Sequence, residues 1–315
     1  MLSERFPTIL PDLTFEEALE ITKIHSVSGK IDGKSGLITK RPFRRPHHTS
    51  SPISIIGGGR NPKPGEISLA HFGVLFLDEL TEFKKQTLEM LRGPLEDRKV
   101  SISRISSSLA YPANFILIAS MNPCPCGYYG TDNEKCKCTE NAISNYIGKL
   151  SGPLLDRIDL HIEVKPVEYK KISSNQKTES SKQIKERVNK ARKMQLKRYK
   201  NLDIYSNSEL TPNLIEKYCK IDNESKILLK KAFEKLDLSG RAYSRILKVA
   251  RSIADLDGEE KISKVHIAEA IQYRSLDRKY WRKWGVRRDK EMKKNIKEEL
   301  LKKDRKWKQS IWKKM

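Results

Sequence analysis

A short apolar segment that ends in two carboxylates is the feature that most constrains this chain. Val74-Leu-Phe-Leu77 leads directly into Asp78 and Glu79. Such a run is typical of a strand buried on both faces, as in a parallel sheet. Adjacent acids at the end of such a strand form the Walker B arrangement, in which the first acid positions Mg²⁺ on nucleotide phosphates and the second polarises a water molecule. The segment therefore predicts an α/β domain with a nucleotide site.

Other segments predict the rest of this domain. The apolar runs 115–119 and 160–164 predict two further strands. Serines that alternate with apolar residues predict a β-hairpin over 98–112. The stretch 38–65 is rich in Gly, Pro, Arg and His and predicts a long loop or insertion. This order of elements indicates a mainly parallel sheet, in a domain that we place at 1–166.

The chain after Pro166 has a helical pattern. We expect a polar linker and a basic helix over 167–205, a small all-α domain over 206–276, and a basic tail over 277–315 that holds all four Trp. Apolar spacing and Ser or Thr caps predict helices near 212–220, 224–236, 240–255 and 264–273.

Charge distinguishes the two halves of the chain. The 63 basic and 40 acidic side chains give a net charge of +23, and almost all of the excess lies after residue 164. A one-sided basic excess is typical of proteins that bind a polyanion. A solvated Lys-rich surface is the alternative, and composition alone fits it equally well.

Four of the five cysteines lie within fifteen residues, as Cys124-x-Cys126 and Cys136-x-Cys138. Four thiolates in two close pairs suit tetrahedral Zn²⁺ in a structural site, although the one-residue gap is tighter than the usual spacing. Free thiols are an alternative, and two disulfides are disfavoured in a reducing compartment. Cys219 lies among apolar positions, and we expect it in the core of the helical domain.

The sequence favours a cytoplasmic protein. It has no run of eighteen apolar residues, so we expect no membrane association. The first residues lack a basic segment followed by an apolar one, which is the pattern of a secretory signal.

Three polar residues are candidates for the nucleotide site. Asn122 follows the second strand, where it can hydrogen-bond an attacking water, although an Asx-turn before Pro123 explains it as well. Arg157 can neutralise phosphate charge at a subunit edge, or pair with a neighbouring aspartate. Arg241 begins a predicted helix and can reach phosphates, with Arg245 as its rival.

Motifs along the chain resemble those of the magnesium-chelatase-like AAA+ ATPases of the ComM/YifB group. The resemblance runs from about residue 1 to 280 and includes Asp78 and Glu79 at the end of the predicted strand. The remaining motifs are Arg41-Pro-Phe-Arg-Arg-Pro-His-His-Thr49, Gly57-Gly-Gly59, Pro64-Gly-Glu-Ile-Ser-Leu-Ala-His71, Met121-Asn-Pro-Cys-Pro-Cys-Gly127, Ser151-Gly-Pro-Leu-Leu-Asp-Arg-Ile-Asp159 and Gly240-Arg-Ala-Tyr-Ser-Arg245.

The resemblance implies an AAA+ P-loop NTPase-type parallel sheet followed by a small all-α lid. It implies ATP and Mg²⁺ as cofactors, a hexameric ring, and action on DNA such as branch migration during transformation or recombination. It assigns Walker B to Asp78, the Mg²⁺ ligand, and Glu79. Asn122 would be sensor 1, Arg157 the arginine finger and Arg241 sensor 2.

The sequence departs from this pattern because it contains no Walker A motif. Gly29-Lys-Ile-Asp-Gly-Lys-Ser35 is one residue too short, and the segment 1–11 matches the residues that come directly after Walker A in the family. We therefore expect the first strand and the P-loop to be missing, which leaves neighbouring strands with unpaired backbone groups. A split gene, a mispredicted start or a decayed copy would each explain this. Low stability and little ATP turnover would result, and a ring would require Walker A from elsewhere.

In motors of this class, insertions such as 38–65 and hairpins such as 98–112 line a central pore. The basic residues of these segments are candidate phosphate contacts, although each alone is more simply an exposed charge. We single out Arg44, Arg45, His47, His48, Arg60, Lys99 and Arg104, with metal ligation as the alternative for the adjacent His47 and His48.

Two other functions remain open. One is a non-catalytic remnant that binds nucleic acid through a zinc-bearing basic module. The other is a chelatase-type subunit that couples ATP hydrolysis to metal insertion, which leaves the basic half of the chain unexplained.

Overall fold

The computed structural model describes residues 2–31, 36–103, 108–130, 135–164, 179–236 and 238–274. The chain divides into two units, one ending at Ile158 and the other beginning at Asp159. The predicted linker up to residue 178, Arg104 and the tail 277–315 lie outside the described residues. None of the described helices is both long and apolar enough to cross a membrane.

The first unit is built from short helices and strands. Its helices are α1 (Leu2–Arg5), α2 (Phe15–Val27), α3 (Pro52–Ile56), α4 (Glu66–Leu69), α5 (Lys85–Met90), α6 (Arg92–Asp97), α7 (Glu140–Ile147) and α8 (Gly152–Leu155). Its strands are β1 (Phe43–Arg44), β2 (Gly57–Gly58), β3 (Lys63–Pro64), β4 (Val74–Leu77), β5 (Lys99–Ser103), β6 (Ser108–Pro112) and β7 (Ile116–Ala119). Single 3₁₀ turns span Phe6–Ile9 and Leu80–Glu82.

A parallel sheet with strand order β1-β4-β7 forms the centre of this unit. All four residues of β4 are buried, as an apolar run between two neighbours requires. Gly73 precedes β4, where an added Cβ would lie 2.1 Å from the carbonyl oxygen of Pro42. Only glycine therefore allows β4 to approach the segment that leads into β1. The parallel sheet, with a helical domain after it, confirms the predicted fold class.

One strand prediction is wrong. Residues 160–164 form no strand, and the side chains of Leu160, Ile162 and Val164 are exposed. A strand needs a partner for its backbone groups, and none of the described strands pairs with this segment. The outer side of β7 is likewise unpaired within the described residues, and Ile116 is 40% exposed.

Two small antiparallel pairs lie outside the main sheet. β5 and β6 form the predicted hairpin, with Lys99 opposite Pro112 and Ser103 opposite Ser108. β2 pairs with β3 inside the 38–65 insertion. Lys99, a candidate nucleic-acid contact, is exposed at the open end of the hairpin.

The second unit is helical where it is described. Its helices are α9 (Ser181–Arg198), α10 (Pro212–Tyr218), α11 (Asn223–Leu236), α12 (Gly240–Asp257) and α13 (Lys264–Gln272), with a 3₁₀ turn at Asn207–Glu209. Ser180 caps α9 in a capping box with Gln183. The cap predicted for α12 is Ser239, which accepts a hydrogen bond from the backbone N–H of Ala242. Cys219 is buried in the hydrophobic core, as predicted.

A buried polar cluster connects α9, the 3₁₀ turn and α12. Asp255 is 2% exposed and accepts hydrogen bonds from Arg198 (Nη1–Oδ2, 3.0 Å), Asn207 (Nδ2–Oδ2, 2.8 Å) and Arg251 (Nε–Oδ1, 3.2 Å). Tyr199 Oη donates to Asn207 Oδ1 at 2.7 Å. A buried carboxylate is costly unless its charge and hydrogen-bonding capacity are satisfied. Asp255 on α12 depends on Arg198 of α9 for one of these contacts, so the cluster ties α9 to α12.

Candidate nucleotide site and cysteine cluster

The two acids project from the carboxyl end of β4. Glu79 has φ 53°, a left-handed conformation that costs about 1–3 kcal/mol for a non-glycine residue and is found most often at functional sites. Its side chain is 59% exposed. Ser120, which follows β7, donates a hydrogen bond to Oδ1 of Asp78. The ends of two neighbouring strands are thus joined at the acid pair.

Glu79 and Asn122 line the same cleft, which has a volume of about 470 Å³. The cleft lies between the loops that follow β4 and β7 and one face of α7. Small-molecule ligands occupy sites of this size. The other lining residues are Glu82, Pro125, Ala142, Asn145, Tyr146 and Lys149.

The acids and their neighbours offer oxygen ligands. Mg²⁺ prefers carboxylate and other oxygen donors. Asp78 and Ser120 provide two such donors in direct contact, and Glu79 is the next residue in the chain. The hydrogen bond from Ser120, followed by the contact with Arg45, lowers the pKa of Asp78, so this carboxyl is ionised at neutral pH. This donor set fits the divalent cation that the Walker B arrangement implies.

Two of the predicted nucleic-acid contacts lie against these acids. Arg45 Nη2 is 2.6 Å from Asp78 Oδ2, and the guanidinium lies over the ring of Phe76. His48 Nδ1 is 3.5 Å from Glu79 Oε2. No local sequence pattern indicates these contacts. The parallel pairing of β1 with β4 produces them, because it delivers the residues after both strands to the same edge.

The remaining residues of this basic segment have other partners. Arg44 forms a bidentate ion pair with Glu66, with N–O distances of 2.5 and 2.8 Å. His47 stacks on His48 with ring centroids 4.1 Å apart, and its Nδ1 lies 2.8 Å from Thr49 Oγ1.

The three candidate arginines have different environments. In the first unit, the Arg157 side chain is 8% exposed and forms an ion pair with Glu96. In the second unit, Arg241 is exposed in the first turn of α12. Arg245, one turn later, forms an ion pair with Asp159.

The four clustered cysteines converge. Their Sγ atoms all lie within 4.8 Å of one another, and Cys124 Sγ is 3.3 Å from Cys126 Sγ and 3.8 Å from Cys136 Sγ. Four sulfurs at ~2.3 Å from a tetrahedral Zn²⁺ would be ~3.8 Å apart, whereas a disulfide requires ~2.05 Å. The thiols are free, and their spacing fits a metal better than a disulfide.

The cysteine loop adjoins the cleft. Cys124 is buried two residues after Asn122, and Pro125 lines the cleft wall. Gly127 and Gly130 have φ of 82° and 79° and allow the turns between the two cysteine pairs. A backbone hydrogen bond at Tyr128, then the contact with Cys124, lowers the pKa of Cys126 to about 6. The loop thus offers a thiolate at neutral pH.

A parallel sheet with paired acids at a strand end, followed by a helical domain, defines an AAA+-type ATPase architecture. The family described as magnesium chelatase subunit ChlI matches residues 1–172, and the C-terminal region of the same subunit matches residues 178–274. The chain belongs to this magnesium chelatase ChlI family.

The chain is similar to several curated bacterial proteins. It is 44% identical to the competence protein ComM of Haemophilus influenzae over 281 residues, which cover 88% of this chain and 53% of that protein. It is 44% identical to the uncharacterized protein YifB of Escherichia coli over 280 residues, covering 88% and 54%. The uncharacterized protein Mb2921c of Mycobacterium bovis is 39% identical over 275 residues, covering 87% and 54%. The chain thus spans about half the length of these relatives.

Proposed function

We propose that this chain supplies the catalytic acids of a cytoplasmic, Mg²⁺-dependent ATPase that acts on DNA. The observation that carries the proposal is that Glu79 and Asn122 line one cleft, with Asp78 directly before Glu79 in the chain. In this proposal Asp78 and Ser120 hold Mg²⁺, which neutralises charge on the phosphates. Glu79 accepts a proton from the attacking water, and Asn122 orients that water by a hydrogen bond.

The arginines complete the proposed machinery. Arg157 would exchange its contact with Glu96 for the phosphates of a neighbouring subunit, as an arginine finger in a homo-oligomeric ring. Arg241 is the candidate sensor 2, because Arg245 is engaged by Asp159. The 315 residues contain no G-x-x-x-x-G-K-[S/T] motif, so the backbone cradle for the phosphates has to come from other residues.

Two observations support DNA as the substrate. The basic excess of the second half matches the phosphate backbone, whose neutralisation dominates non-specific binding. One relative is named a competence protein. Branch migration or a similar remodelling step is the activity that we propose.

The test is ATP hydrolysis by the full chain, alone and mixed with the part of the Haemophilus influenzae relative that this chain does not cover. We expect turnover only in the mixture and only with Mg²⁺. Glu79→Gln should reduce it at least ~100-fold, because the general base is lost. Glu82→Gln is the matched control, since Glu82 lines the same cleft but pairs with Lys149 at 3.8 Å. Equal turnover in the two variants would refute the catalytic assignment.

The cysteine geometry favours a second candidate function, a zinc-bearing module that binds nucleic acid without catalysis. Both proposals include the same structural Zn²⁺ site. Its ligands would be Cys124, Cys126, Cys136 and Cys138. Zinc and DNA binding without any turnover in the mixture would favour this second function.

A further inference from the structure

A stripe of lysines runs along α9 in the second unit. Lys182, Lys190, Lys193 and Lys197 are all exposed. At 3.6 residues per turn, these four positions fall within an arc of about 80° on the helix surface. They span the sixteen residues 182–197, or about 22 Å of helix axis. We call this set the lysine stripe.

The opposite face of α9 is fixed to the rest of its unit. Ala191 and Gln195 are buried, and they lie about 160° around the helix from the centre of the stripe. α9 packs on α12, and Arg198 at its C-terminal end is held by the buried carboxylate of Asp255. The lysine stripe is therefore the outward face of a rigid element.

The positive charge of the stripe is not cancelled locally. α9 carries eight basic residues and one acidic residue, Glu186. Arg187 pairs with Glu179, and Arg198 pairs with Asp255. Within the part of the chain that the structure describes, none of the four stripe lysines forms an ion pair with a carboxylate. Their ammonium groups are thus available to a negatively charged partner.

We propose that the lysine stripe binds the phosphate backbone of double-stranded DNA. The length of the stripe corresponds to about six base pairs, at 3.4 Å each. Lysines act as mobile point charges, so such a contact positions the duplex without reading its sequence. The inference rests on the proposed action on DNA. The proposed interface lies outside the segment Arg44–His48. In that segment the side chains of Arg44, Arg45 and His48 contact carboxylates.

A membrane surface is a poorer partner for this helix. Helices that bind membranes insert an apolar face into the headgroup region. In α9 that side is turned to the domain, where Ile184 and Val188 are half-buried and Ala191 is buried. Leu196, 44% exposed and about 80° from the centre of the stripe, is a single apolar side chain, which is too little area for such insertion.

The test compares two sets of four substitutions in the full chain. The first changes Lys182, Lys190, Lys193 and Lys197 to Gln. The second, as control, changes exposed lysines of the same unit to Gln with the same loss of charge: Lys220, Lys226, Lys230 and Lys231. Binding to a fluorescent 30-base-pair duplex is measured by anisotropy between 50 and 300 mM KCl. Circular dichroism checks helix content, and Lys193→Gln alone serves if the fourfold stripe variant does not fold.

Neutralising four phosphate contacts should make the slope of log K against log salt shallower by about 3 to 4 and weaken binding at least about tenfold at 100 mM KCl. The single variant should reduce the slope by about 1, and the control set should bind like the wild type. If the stripe variant keeps the wild-type slope, the inference is wrong while action on DNA stands. Equal losses in the stripe and control sets would also overturn it. A wild-type chain that binds no duplex would refute both the stripe and the proposed DNA substrate.

Discussion

Arg45 and Asp78 form an ion pair between residues that follow neighbouring parallel strands, with Nη2 2.6 Å from Oδ2. The two side chains are 48% and 41% exposed. The guanidinium therefore neutralises the carboxylate at which a divalent cation is expected. Because exposed ion pairs are weak, a cation can displace this arginine at little cost.

Removing this arginine should strengthen cation binding. Exposed ion pairs contribute at most about 1 kcal/mol, so Arg45→Ala should increase the affinity for Mn²⁺ by up to about fivefold. Electron paramagnetic resonance of free Mn²⁺ measures this directly. Arg44→Ala is the control, since Arg44 pairs with Glu66 instead. Weaker binding in Arg45→Ala than in the wild type would show that Arg45 does not compete with a cation at Asp78.

The cysteine cluster should hold one Zn²⁺ per chain after purification with zinc. Cys124→Ser should lose the metal and lower the melting temperature of the first unit, because a structural Zn²⁺ contributes directly to folding. Elemental analysis of the purified protein gives the stoichiometry. Cys219→Ser, in the core of the other unit, should keep the ion. A zinc content well below one ion per chain in the wild type would contradict the prediction and favour free thiols.

The buried cluster around Asp255 should be essential to the helical unit. Asp255→Ala leaves Arg198 and Arg251 without their shared partner, which costs about 3–5 kcal/mol. Hydrogen-exchange protection of α12 amides should then fall at least about a hundredfold. The control variant Glu216→Ala changes an exposed residue and should alter the protection of α12 amides little. Normal protection in Asp255→Ala would mean that the arginines find other partners.

Acid should destabilise the first unit through two histidines. Burial lowers the pKa of His25 and of His71. His71 Nδ1 accepts a hydrogen bond from the backbone N–H of Asn114 at 2.9 Å, which requires the neutral ring. In the unfolded state both histidines have a pKa near 6.5, so they bind protons at a higher pH than in the folded state. Their contribution to the free energy of unfolding is therefore complete above about pH 6.5 and is lost as the pH falls below it.

Urea unfolding followed by hydrogen exchange in the first unit, at pH 7.5 and 5.5, checks this direction. His71→Gln keeps an acceptor for Asn114 but cannot titrate, so its stability should depend less on pH. A steeper dependence in this variant than in the wild type would contradict the assignment.

The central strand and its acids could be predicted from sequence, because four apolar residues before two acids leave few alternatives. The helices of the second unit were predictable for a similar reason, since Ser239 and Ser263 precede clear apolar spacing. These are local signals that propensity and pattern carry.

Contacts between distant segments could not be predicted. The position of Arg45 depends on the pairing of Phe43 with Val74, which no local pattern records. The pattern of 160–164 alternates like a strand, but it lacks a partner within the described residues. Asp255 and Arg251 are one helical turn apart and could be paired from sequence, whereas Arg198 is 57 residues away from Asp255.

Within the described residues, the outer side of β7 has no partner strand. Open backbone groups beside a half-exposed Ile116 are a template on which another extended chain can add. Concentrated samples of this polypeptide will therefore tend to self-associate. Light scattering across a dilution series measures this self-association and should precede the measurements of DNA and Mn²⁺ binding.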